Sequence, residues 1–398
     1  MNDDGKTVQI RFVRRVEDIA GALWAECFPA PLEGRFWYHT LETCGLDDQF
    51  AFHYAVIERD GRPVGVAPCF LHDVPIALVA PAPVAWVLRQ LSSVFPRAGC
   101  QRTLFAGSPC ADEGTIGLVP GTNLADVIGG LRAAIRAKAR ELGASMIVFK
   151  DFPEANLPVL TTSARAGEFV ATVSFPGTVV ALPASGKDAY YRSLTHNQRH
   201  NLLKKLRRSR ELLPLETSVV AHPTDRELAE IFGLFMQTYD RGRTKFERLG
   251  LRFFEQIREQ EQASFILQRD QASGELVTFM LVLCLGSRVV NKFIGLNYPR
   301  GGSTFLYFRL FDAALDFAYA RGATGLQSGQ TGYRAKLDLG HRLVPLYNVF
   351  HHEQPLVHAA FRTIGRRVTW RSLDSDLAAC LGTIRPQRKQ PVGLRPPC

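Results

Sequence analysis

The run from Arg288 to Phe350 concentrates groups suited to holding a charged substrate. A strand-like segment, Arg288 to Gly295, leads into Leu296-Asn297-Tyr298-Pro299-Arg300-Gly301-Gly302-Ser303, and a long apolar helix pattern opens at Thr304. Glycines at a strand-to-helix junction let backbone N–H groups approach a ligand, and a helix N-terminus favours an anion. Gly301, Gly302, Ser303 and Thr304 are therefore candidate donor-binding residues, suited to a pyrophosphate or a similar group. The plainer alternative is a glycine-bearing turn with Ser303 as its N-cap.

A second candidate is a basic run. Arg192, Arg199, Lys204, Lys205, Arg207, Arg208 and Arg210, with His196 and His200, precede the first acidic residue, Glu211. Helical spacing brings Lys204, Arg207, Arg208 and Glu211 onto neighbouring rows and turns Leu202, Leu203 and Leu206 inward. Arg199, Lys204, Lys205, Arg207 and Arg208 then form an anion-binding face for RNA, a nucleotide-linked acceptor or lipid headgroups, with a solvated helix face as the alternative. Arg241 and Arg243 extend the patch.

Other chemistries find less support. No G-x-G-x-x-G or G-x-x-x-x-G-K-[ST] follows a strand, which disfavours dinucleotide and P-loop enzymes. Ser108 in Gly107-Ser108-Pro109 does not fit a nucleophile elbow, because a proline follows it. The eight cysteines have no C-x-x-C pair and His351-His352 are adjacent, so neither disulfides nor zinc are expected. Asp338, Tyr347, His351 and Asp240 lie beside these segments as potential general bases, and spacing singles out none.

The elements that must position these groups read as two similar units. In the first, a helix pattern at Val16 to Cys27 precedes a hairpin, Phe50 to Ile57 and Val64 to Leu71 around Asp60-Gly61. A short strand at Thr103 to Gly107, a helix at Leu124 to Leu142 closed by Gly143, and a strand at Ser145 to Lys150 follow. In the second, strand Gly177 to Leu182 precedes a basic helix at Ala189 to Leu212 and helices at Asp225 to Tyr239 and Leu251 to Glu259. A meander (Ser264 to Gln268, Glu275 to Leu285, Arg288 to Gly295) precedes helix Thr304 to Ala320, a strand from Gly325 and a last strand, Leu343 to Phe350. The expected division is 1–175, 176–360 and a C-terminal helix with a disordered basic tail, 361–398. The order predicts a mixed α/β fold of two tandem units, each a mixed sheet flanked by helices.

The chain has 398 residues, 46% hydrophobic and 22% charged, the balance of a soluble globular protein long enough for two domains. No apolar run is long enough to span a bilayer, and the N-terminus lacks signal-peptide features, so a cytoplasmic location is expected. The net charge of +10 suits polyanionic partners: nucleic acid, an anionic membrane surface or coenzyme A.

These segments together resemble the Fem-like, peptidoglycan biosynthesis/recognition branch of the GNAT superfamily. The matching pieces are Gly329-Gln330-Thr331-Gly332-Tyr333-Arg334-Ala335-Lys336-Leu337-Asp338-Leu339-Gly340 and the helix Tyr191-Arg192-Ser193-Leu194 to Arg208. Gly107-Ser108-Pro109-Cys110-Ala111-Asp112-Glu113-Gly114 and the Trp24 helix with its following hairpin also match. The likeness covers roughly residues 10 to 352 and rests on the order of motifs that are individually degenerate. It implies two GNAT-like units and an acyl transfer to an amine, with acyl-CoA, a carrier-bound acyl group or aminoacyl-tRNA as donor and no metal. The acceptor would be a small-molecule or peptide amine. The resemblance gives Lys336 the role of stabilising the oxyanion, with a solvated surface lysine as the alternative; Tyr333 would orient substrate or donate a proton, with a core tyrosine as the alternative. Lys336 is expected in a solvated cleft between Gly301-Gly302 and the loop Gly329 to Gly332. Alternatives are an aminoacyl-tRNA-dependent transferase and a non-catalytic polyanion binder of the same fold. The sequence leaves the oligomeric state open and allows peripheral contact with an anionic membrane.

Overall fold

The computed structural model describes residues 8–75, 100–163, 165–242 and 246–383. The expected disordered tail lies beyond these, apart from its first residues, and so does Arg243. The first seven-strand path contains β1 (Val8–Val13), β2 (Ala51–Arg59), β3 (Arg62–Pro75), β4 (Cys100–Ala106), β6 (Met146–Pro153), β7 (Val170–Val173) and β15 (Leu346–His352), with the short β5 (Gly117–Leu118) beside β3. The second contains β8 (Gly177–Ala181), β9 (Leu215–Val220), β10 (Ala263–Asp270), β11 (Leu276–Leu285), β12 (Arg288–Leu296), β13 (Gly325–Ser328) and β14 (Arg342–Val344). Hairpin β2–β3 turns at Asp60 and Gly61, with φ of 54° and 75°, the conformation a two-residue turn of this kind demands.

Both sheets carry the same order. The first runs β1-β2-β3-β4-β6-β15-β7 and the second, from its β9 edge, β9-β10-β11-β12-β13-β8-β14. Strands four and five pair parallel in each, β4 with β6 and β12 with β13, and the remaining pairs along both paths are antiparallel. Position six of the first sheet is filled by β15, from beyond the second unit's strands, whereas the second sheet is built from consecutive strands, β8 to β14. After β7 the chain crosses into the second sheet as β8; after β14 it crosses back, across Pro345, as β15. The single strand expected over Leu343 to Phe350 is therefore two strands in different sheets. Proline cannot donate to a ladder, and here it marks the crossing.

Helices flank both sheets: α1 (Gly21–Cys27), α2 (Arg35–Thr43), α3 (Leu124–Glu141) and α4 (Leu157–Thr161) belong to the first unit. α5 (Lys187–Ser193), α6 (His196–Leu212), α7 (Asp225–Arg241), α8 (Leu251–Ile257), α9 (Tyr298–Thr304), α10 (Leu306–Ala320) and α11 (Tyr333–Asp338) belong to the second, and α12 (Pro355–Gly365), α13 (Trp370–Leu373) and α14 (Ser375–Thr383) follow. The expected basic helix is two helices. Thr195 breaks it and caps α6, accepting from Gln198 N while Gln198 reaches back to Thr195 N. Leu202, Leu206 and Ser209 form the inner stripe, at spacings of four and three, whereas Leu203 faces out with 45% exposure.

One apolar cluster joins the two units. Trp37, Phe50, Phe70 and Phe105 of the first pack with Phe235, Phe253, Phe265 and Phe279 of the second, and Trp37 meets Phe253 edge-on at 6.0 Å. An interface that is apolar at its centre holds the units as one body. The polar groups described next sit at its margin.

Candidate functional site

The site starts from a parting of two strands. β12 and β13 pair only from Arg288↔Gly325 to Asn291↔Ser328; β12 then continues to Leu296 while the other chain turns away through Gly329 to Gly332. Against β11, the register of β12 slips between Leu281 and Val282, which pair with Phe293 and Asn291. Lys292 is the extra residue, a bulge that bends the strand and re-aims its side chain. The result is a wedge whose one wall is backbone not paired to β13.

Lys336 closes the base of this wedge. Its ammonium donates to Gly329 O at 2.6 Å and is 7% exposed, so the structure buries it where the sequence placed it in a solvated cleft. Burial pulls its pKa down to about 8, against the opposing pull of Asp112. His341 braces the turn, with Nδ1 against Lys336 O at 2.9 Å and Nε2 against Ser328 Oγ at 3.2 Å. Burial, then the Lys336 charge, hold that imidazole neutral with a pKa of about 3.

The first unit reaches into the same place through Asp112. Its Oδ2 accepts from Gln327 Nε2 at 3.3 Å and its backbone carbonyl from Gln330 at 3.4 Å. The Lys292 ammonium, 1% exposed, lies 2.5 Å from Glu33 and 4.0 Å from Asp112, over the Trp37 ring at 4.4 Å. Burial opposes that charge, but Asp112 and Glu33 outweigh it and hold the lysine above its ordinary pKa. Lys150 pairs with Asp151, and Arg288 lies 3.9 Å from Glu113. Glu247 completes the cluster: burial pushes it up to about 7, against Lys150 and Lys292. A cavity of about 30 Å³ opens here, lined among others by Tyr38, Glu33, Asp112, Glu113 and Arg288.

Tyr333 begins the helix that bears Lys336, but it is wholly buried and its hydroxyl donates to Pro176 O at 2.9 Å. Gly301, Gly302, Ser303 and Thr304 lie within α9, not at its mouth; Asn297 caps it, accepting from Arg300 N. The basic helix α6 joins the two places. Near its start Gln198 donates to Leu337 O at 2.8 Å, and near its end Ser209 donates to Thr304 O. At 1.5 Å per residue, roughly 16 Å of helix separates those contacts, so the glycines and Lys336 stand at opposite ends.

Along α6, Lys204, Arg207 and Arg208 are exposed, while Arg199 is half-buried. Lys205 is 3.6 Å from Asp338 and over the Phe308 ring at 3.9 Å. Of the potential bases, Tyr347 and His351 lie on β15 in the first sheet, and His351 Nδ1 contacts Glu168 O. Asp338 pairs with Lys205. Sequence reasoning missed Glu33, Lys292 and Glu247. Glu247 carries no local pattern, and Lys292 looks like any residue of a strand until the bulge is seen.

No protein-family model and no curated protein matches the sequence. Solved structures do match. FemX aligns with a TM-score of 0.54 at 13% identity, over 90% of this chain and 100% of that one. A conserved protein of unknown function from Bacteroides thetaiotaomicron aligns at 0.53 and 12% identity, over 86% and 100%. A tandem GNAT protein from the clavulanic acid biosynthesis pathway aligns at 0.49 and 15% identity, over 87% and 99%. At these identities the likeness is one of fold, and along nearly its whole length the chain has a FemX-like fold, built of two mixed-sheet units.

Proposed function

We propose that the protein is an amide-forming acyltransferase whose reaction takes place where β12 parts from β13. The observation that carries this reading is the buried Lys336 ammonium at the base of the wedge, with only one of its donors committed among the described residues. A donor carbonyl placed there develops negative charge on attack, and a preorganised cation in a site shielded from water stabilises that charge strongly. The acceptor enters from the first unit's side, where Glu33, Asp112 and Glu113 favour an ammonium before it loses its proton. Glu247, poised near pH 7, accepts that proton, leaving the amine free to attack.

The donor is an acyl-CoA or a carrier-bound acyl group. A second reading, an aminoacyl group from tRNA, is favoured by the exposed Lys204, Arg207 and Arg208 on the helix that packs against α11. Incubating the purified protein with radiolabelled acetyl-CoA or charged tRNA, each with a panel of primary amines, tests both. Label transferred to an amine supports the reading and picks the donor. Failure with both donor classes across acyl lengths and amines counts against an acyltransferase.

A further inference from the structure

Among the described residues, helix α12 leaves an apolar stripe uncovered. Its inner face packs on the first sheet: Phe361 meets Phe350 at 6.2 Å, and Gly365 O accepts from Thr172 Oγ1 at 3.0 Å. On the other face Leu356 is 87% exposed and Ile364 43%, with the exposed Ala360 between them at helical spacing. From Pro355 to Arg371 there is no acidic residue, and the exposed Arg366, Arg367 and Arg371 follow directly on the stripe. The nearby carboxylates are already engaged: Glu353 with Arg136 and Arg140, Glu168 with Arg136, and Asp374 with backbone N–H groups of α14.

We propose that Leu356, Ala360 and Ile364, with Arg366, Arg367 and Arg371, form a docking surface for an anionic lipid bilayer. The shape and charge favour a membrane over a protein partner. The stripe is aliphatic and spans roughly 12 Å of helix, which suits shallow insertion at a headgroup boundary. The arginines at its end match the negative surface potential of such a bilayer. This inference does not rest on the acyl-transfer reading.

Sedimentation of the full chain with phosphatidylcholine vesicles, with and without equal parts phosphatidylglycerol, provides the test. The wild type should sediment with the anionic vesicles and stay in solution with the neutral ones. Leu356→Glu/Ile364→Glu should cut partitioning by about tenfold or more with an unchanged melting temperature, since both side chains are exposed. Arg366→Glu/Arg367→Glu should cut it similarly, with a loss that shrinks as salt rises. If the glutamate pair lowers the melting temperature, Leu356→Ser/Ile364→Ser replaces it, and a loss of at least about threefold is expected. Wild-type partitioning by the stripe variants would overturn the proposal, as would a lipid-free dimer that Leu356→Glu dissociates, because a second copy would then cover the stripe.

Discussion

The Lys292 ammonium and the Glu33 carboxylate, 2.5 Å apart, fasten the bulge of β12 to the segment ahead of α2. Removing one member of a buried pair costs up to roughly 3 to 5 kcal/mol, and Asp112, 4.0 Å from Lys292, offsets part of that here. Glu33→Gln should therefore lower the melting temperature clearly, and adding Lys292→Met should restore much of it. Thermal unfolding of the single and double variants checks this; equal stability of Glu33→Gln and wild type would mean that the pair is dispensable.

The rate should depend on pH as a narrow bell. Glu247 must be ionised to accept a proton, so activity rises through its pKa of about 7; Lys336 must be charged, so activity falls through its pKa of about 8. Lys336→Arg should keep some activity and lose the alkaline limb, because guanidinium does not titrate in that range. A profile of kcat/KM against pH for both proteins is the measurement.

Charge on α6 should matter only to a polyanionic substrate. Changing Lys204, Arg207 and Arg208 to Ala should weaken binding of the anionic substrate, and for an RNA should flatten the salt dependence by up to about two in log–log slope. Fluorescence anisotropy at several salt concentrations reads both. Identical binding by the variant at low salt would leave a merely solvated helix face.

The return of β15 to the first sheet sets what can fold alone. Residues 1–175 lack β15, which lies between β6 and β7 and supplies pairing on both sides. That fragment should show no cooperative unfolding, and joining residues 346–352 after β7 through a flexible linker should recover it. Circular dichroism melts of the two fragments decide the matter.

Much of the architecture is written locally. The Asp60-Gly61 turn, the β10–β11–β12 meander and the helix ended by Gly322 follow from period and turn residues alone, and the structure keeps them. The short β1, β7 and β9 were not legible, because four to six residues give little periodicity. Nor was the return of β15 to the first sheet, since hydrophobic pattern says that a strand is buried but not in which sheet. The site divides in the same way. Lys336 was reached through a local motif, whereas Glu33, Asp112, Glu247 and Lys292 meet only because the two units pack together.

The most direct test concerns Lys336 itself. If its ammonium stabilises the oxyanion, Lys336→Ala should lower kcat by about a hundred- to a thousandfold, or roughly 3 to 4 kcal/mol, and change KM far less. Its melting temperature should stay at or above that of the wild type, since a buried charge whose pKa is pulled down to about 8 is an electrostatic burden on the fold at neutral pH. Turnover, KM and melting temperature measured side by side for wild type and variant would show this pattern. Near-normal turnover, or a fold that collapses without the lysine, would contradict it.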